Sequence, residues 1–169
     1  MKKLVLALLL MLLQLCTACS GTTYHSNEEI GRAFQRHKST FENVAVTAVG
    51  ENSGYIHKPD AEGQETECGD SGCKLMEADG LHIHLQHEMS DTELRHIAEA
   101  ALTLMENVDI ESISFSQEAV RFHLKDESEY SWDPTIVYWR ADDADEGKIG
   151  YGEAVCRLAD HWYAALITR

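Results

Sequence analysis

The stretch "LHIHLQHEMSDTELRHIAEAALTLMEN", residues 81–107, decides the fold class. Its first half alternates. Leu81, Ile83 and Leu85 face one way, and His82, His84, Gln86 and Glu88 face the other. A period of two residues is the mark of a half-buried strand. At Ser90 the period changes. Glu93 follows Ser90 by three residues, the spacing of a capping box that opens a helix. Leu94, Ile97, Ala98, Ala101, Leu102 and Met105 then recur at helical spacing, and Asn107 closes the helix. A strand feeding an amphipathic helix needs a layered fold, because each element has one apolar face to bury.

The flanks extend the pattern. Upstream, Ser26 and Glu29 form a second capping box, and Ile30, Phe34 and Phe41 continue at helical spacing, predicting a helix over 27–41. The apolar run 44–49 either prolongs that helix or forms a strand, and periodicity fits both. Residues 50–80 hold Gly50, Gly54, Pro59, Gly63, Gly69, Gly72 and Gly80 among many acids, and read as one long loop. Downstream, "ESISFS" (111–116) and "VRFHLK" (120–125) alternate as strands. Pro134 opens the strand "TIVYWR" (135–140), "DDADEG" (142–147) is a turn, and "KIGYGEAVC" (148–156) reads as a strand. The C-terminal "CRLADHWYAALITR" fits a turn at Ala159-Asp160 and a strand, or a helix with Val155, Leu158, Trp162 and Leu166 on one face. Trp162, Tyr163 and Ile167 favour the strand. The expected architecture is α+β: two helices packed on an antiparallel sheet of five or six strands, in one globular domain over residues 27–169.

The first residues follow a different logic. Met1-Lys2-Lys3 is basic, and Leu4–Leu13 is an unbroken apolar run of ten. Such a run spans about 15 Å as a helix, roughly half of a bilayer core. A basic start, a short apolar stretch and small residues after it predict a secretory signal peptide over residues 1–18. "LCTACSG", residues 15–21, resembles the lipobox of bacterial lipoproteins. In that family a cysteine preceded by two small residues accepts the lipid, and here Thr17 and Ala18 precede Cys19. Leu15 stands one residue earlier than the family's usual leucine, with Cys16 in its place. The resemblance implies cleavage before Cys19, lipidation of Cys19 (diacylglycerol, palmitate) and a short tether over residues 19–26. It also implies attachment to the bacterial cell envelope, and Ser20 resembles the outer-membrane sorting pattern, with the domain facing the periplasm. Cys16 and Cys19 are therefore no C-x-x-C pair, since cleavage separates them.

Charge narrows the partners. The formal net charge is −15, and loss of Lys2 and Lys3 with the leader takes it to −17. Such a chain repels nucleic acid and anionic surfaces, so nucleic-acid binding is excluded as an expectation. A basic envelope or secreted protein, or a cation, is electrostatically favoured.

Export permits disulfides. "CGDSGC" (68–73) places an easily bent Gly/Asp/Ser turn between two cysteines, predicting a Cys68–Cys73 bond. Cys156 is then left over as a small buried apolar residue, and its pairing with Cys68 or Cys73 is the alternative. His82, His84 and His87 form H-x-H-x-x-H. Two histidines on one strand face stand about 7 Å apart, within reach of one zinc or copper ion. Glu88 is a further candidate ligand, and His123 might join across the sheet. The bland alternative is a polar, solvent-facing strand. Asp142 to Glu153 has only a partial calcium-loop pattern, with Ala144 at a ligand position. Trp132, Tyr138, Trp139, Tyr151, Trp162 and Tyr163 are either core or a binding surface. No G-x-S-x-G and no cysteine-protease motif occurs. These features together predict a non-enzymatic envelope binding module of accessory, inhibitor or immunity type, without a cofactor. A metal-binding lipoprotein using the histidines is the alternative.

Overall fold

The computed structural model describes residues 26–48, 53–59, 74–87, 89–125, 132–141, 149 and 155–168. The leader, Cys19, Cys68, Cys73, Glu88, Tyr151, the Trp132 side chain and the acidic turn 142–147 lie outside the described residues.

Helix α1 runs over Asn27–Thr47. The Ser26 hydroxyl accepts from the Glu29 amide, as its capping-box spacing requires. The helix passes Phe41 and takes in residues 44–47, so that run is helical rather than a strand. A kink at His37 (φ −117°, ψ 19°) re-aims its second half, and Phe41, Val44 and Ala45 are buried there. The Arg140 guanidinium donates to the Ala48 carbonyl at 2.6 Å, satisfying one of the open acceptors at the helix end. Helix α2, Asp91–Asn107, starts at the predicted capping box: the Glu93 amide donates to Ser90 Oγ, and the Ser90 amide donates to the Glu93 carboxylate. Those bonds from Ser90 hold the Glu93 carboxyl below its ordinary pKa.

The strands are β1 (Gly54–His57), β2 (Lys74–Ala78), β3 (Leu81–Leu85), β4 (Ile110–Phe115), β5 (Ala119–Leu124), β6 (Trp132–Trp139), β7 (Val155–Ala159) and β8 (Trp162–Thr168). They form one eight-stranded sheet in the order β2-β3-β1-β4-β5-β6-β8-β7, antiparallel at every pairing. The class is α+β with two helices on an antiparallel sheet, but the sheet has eight strands and not five or six. The two extra strands, β1 and β2, lie inside the stretch read as a loop. β1 is only four residues long, and β2 reads Lys-Leu-Met-Glu-Ala, in which apolar and polar residues do not alternate. Asp79 (φ 52°) and Gly80 (φ 77°) join β2 to β3 through a tight turn of the kind that Asp-Gly favours. The strand expected at 148–156 is also revised: Ile149 has helical backbone, and among the described residues β7 is Val155–Ala159. The C-terminus takes the strand reading, with Asp160 and His161 turning the chain from β7 into β8.

Both helices cover one face of the sheet. Ile30, Phe34 and Phe41 of α1 and Ile97, Ala101 and Leu104 of α2 share a core with Ile56, Ile83, Ile113, Phe122 and Trp162. Aromatic rings form its centre: Phe41 meets Phe122 edge-on at 4.9 Å, and Phe34 lies 4.9 Å from Trp162. Trp139, Tyr163, Val137 and Ile149 form a second cluster on the opposite face. These aromatics are core. Cys156 is exposed and carries a free thiol, contrary to the expectation of a buried or paired cysteine. It sits on the terminal strand β7, beyond the reach of the core.

Candidate functional site

The alternation that buries Ile83 and Ile56 under the helices turns their neighbours to the other face. The register then lines these neighbours up across strands. One row runs Glu77, His82, His57, Ser112, His123 and Thr135 from β2 to β6. The adjacent row runs Leu75, His84, Tyr55, Ser114, Arg121 and Val137. Apart from Leu75 and Ala119, the face away from the helices is thus polar and rich in imidazoles over β2 to β5, and it turns apolar at β6 and β8.

His57 and His84 are the centre of this face. They sit diagonally across the β1–β3 pair, a separation that long or aromatic side chains bridge. Their Nε2 atoms are 3.2 Å apart and the rings lie nearly parallel, at 12°. Both are buried, at 6 % and 5 % exposure. His57 Nδ1 lies 2.8 Å from the Lys58 carbonyl oxygen. That oxygen only accepts, so Nδ1 carries the proton and the neutral ring keeps its lone pair on Nε2. His84 Nε2–H is then the donor of the His–His bond. Burial, then the nearby His57 and His82, hold His84 below the ordinary histidine pKa, so it stays neutral where an exposed imidazole would charge.

His82 stands edge-on to His57 with ring centres 5.4 Å apart, and its Nε2 is 3.7 Å from the Glu77 carboxylate. Tyr55 packs beside His57 at 5.2 Å. Further along, Ser114 Oγ and His123 Nε2 are 3.1 Å apart. Among the described residues, the buried Arg121 Nε finds no hydrogen-bond partner. A buried donor left open is unusual in a folded protein.

The sequence-predicted histidines are thus placed unequally. His82 and His84 share the helix-free face as their alternation requires. His87 lies past the end of β3 in an exposed bend. His123 stands three strands from His82, about 14 Å at ordinary strand spacing, so it does not join them. His57 takes the place that spacing alone assigned to His87. Its signal was the alternation of Tyr55, Ile56 and His57, hidden inside a glycine-rich stretch. Among the described residues, no three His, Cys, Asp or Glu side chains are grouped as a metal site. Nor is any described helix long and apolar enough to cross a membrane.

Comparison with known proteins brings no family to this arrangement. No family model, no curated protein and no solved structure matches the chain, and none therefore points to catalysis.

Proposed function

We propose that this protein is a lipid-anchored module of the bacterial envelope that binds another envelope or secreted protein. Its working surface is the helix-free face around His57, His82, His84 and Arg121. The observation that supports this reading most is the pair of polar rows on one sheet face. Antiparallel sheets commonly leave one face to water, with polar side chains turned outward. Here two imidazoles are buried against each other, and the buried Arg121 Nε has no hydrogen-bond partner among the described residues. Strands hold these groups in fixed register, which suits recognition. The net charge of −15 favours a basic partner, and the lipobox-like Cys19 favours attachment through lipid to the outer membrane, facing the periplasm.

Site-specific photo-cross-linking in the intact envelope tests the surface. A cross-linker at position 82 should yield a discrete adduct with a second protein. The same group at position 99, on the exposed side of α2, should not. Equal adducts from both positions, or none from 82, would remove this face as the binding surface. Fatty-acid labelling that persists in Cys19→Ala would remove the anchor.

A further inference from the structure

We propose that His57 and His84 form a two-nitrogen clip for a divalent transition-metal ion of the zinc type, with His82 as third donor. The inference shares with the reading above only the choice of face, and is independent of the anchor and of any protein partner.

Three observations carry it. The first is distance. Two imidazole nitrogens bound to one tetrahedral zinc, each about 2.05 Å from it, stand about 3.3 Å apart. The two Nε2 atoms are 3.2 Å apart, so they already stand at the spacing of a zinc-bound pair; the ion would lie about 1.3 Å off the line between them, and both rings would tilt to aim their lone pairs at it. The second is the outer contact of His57. Histidines that ligate metals nearly always donate their other ring N–H to a carbonyl or carboxylate, which fixes the ring and its tautomer. The Nδ1–H of His57 does this with the Lys58 carbonyl, leaving the Nε2 lone pair aimed at His84. The third is the setting. His82 is the adjacent imidazole on the same face, with its ring centre 5.4 Å from that of His57. The clip as it stands supplies two nitrogens; water would complete four-coordination, with His82 joining only once its ring has left Glu77. An acidic protein also raises the local concentration of cations.

Binding needs no oxidation or reduction. His84 moves its single ring proton from Nε2 to Nδ1, and the freed Nε2 lone pair takes the ion. Above the histidine pKa no net proton is released. In acid, protons compete for both nitrogens, and affinity falls with pH.

Zinc titration of the purified protein by calorimetry tests this. Cys156→Ser is the background throughout, which removes the exposed thiol as a rival ligand. One equivalent of zinc should bind. His57→Ala and His84→Ala should each weaken it by about tenfold or more, and His82→Ala by less. His161→Ala, in the distant β7–β8 turn, should have no effect. Uptake unchanged in the His57→Ala/His84→Ala double variant would overturn the site. If a variant does not fold, imidazole 15N spectra of the unaltered histidines decide. Saturating zinc should leave the His57 Nδ1 proton in place and strip the His84 Nε2 proton. A His84 Nε2 proton that survives saturation overturns the proposal. A position-82 adduct that forms in the presence of chelator, with no zinc uptake, removes the metal and leaves the docking surface standing.

Discussion

Replacing His57 and His84 singly and together by phenylalanine measures what their contact contributes. Phenylalanine keeps a planar ring in each buried place and removes only the nitrogens. Each single change leaves one buried imidazole nitrogen of the other ring without its partner, which costs about 1–3 kcal/mol. The double change removes both nitrogens of the contact; the Lys58 carbonyl loses its His57 donor in the single and the double variant alike, so that loss cancels in the comparison. The cost of the double change should fall short of the sum of the single costs by about 1 kcal/mol, the net value of one neutral hydrogen bond. The coupling also depends on pH. The bond needs a proton on one Nε2 and a lone pair on the other. A second proton on His84 enters at Nδ1 and leaves this bond in place, whereas one on His57 Nε2 would set two N–H groups face to face at 3.2 Å. The wild-type curve follows from the same groups. Because the folded state resists protonating His84, the unfolded chain takes up that proton first as pH falls through about 6.5. The unfolded state then binds more protons, so stability is lost towards acid. The slope is at most about 1.4 kcal/mol per pH unit, and it flattens once His84 is protonated in the fold as well. His84→Phe should lose this part of the slope. Urea unfolding followed by the fluorescence of buried Trp139 and Trp162 reads all four proteins. Additive costs at pH 8, within about 0.3 kcal/mol, would refute the contact.

Other consequences are open to direct measurement. Phe41→Ala empties the centre of the aromatic core and should cost about 3–5 kcal/mol in urea unfolding; a loss under 1 kcal/mol would mean that the Phe34, Phe122 and Trp162 rings close the gap. Gly54→Ala would bring a Cβ to within 2.3 Å of the His84 carbonyl oxygen and 2.6 Å of the Phe115 ring. It should lower the thermal midpoint and disturb the His57–His84 pair together, and NMR spectra with unshifted His84 signals would contradict that link. Ser90→Ala removes the α2 cap and should cost about 1 kcal/mol, with the helix start losing hydrogen-exchange protection first.

The two capped helices were legible because caps and 3.6-residue stripes are local. Ser26, Ser90 and Glu93 bond within three residues of themselves, and no distant contact is needed to form them. The strands at 81–85, 110–115 and 119–124 were legible because one face of each is buried and one is polar, which writes a period of two into the chain. Strands β1 and β2 were not: β1 has only four residues, and β2, as long as β3, reads Lys-Leu-Met-Glu-Ala with no alternation of apolar and polar residues. Ile149 was misread because apolar residues in a short run fit either backbone.

The sequence alone therefore determined the class, the two helices, and which side of β3 its histidines occupy. Only the tertiary structure decided which imidazoles meet. Strand order and register are set by pairing between segments far apart in the chain, and His57 and His84 are 27 residues apart. Antiparallel register places β1 beside β3 and aligns Ile56 with Ile83, because both must be buried under the helices. With that alignment made by the apolar side chains, the polar neighbours have no further choice. Tyr55 falls opposite His84, His57 falls opposite His82, and the diagonal brings His57 and His84 within hydrogen-bonding distance.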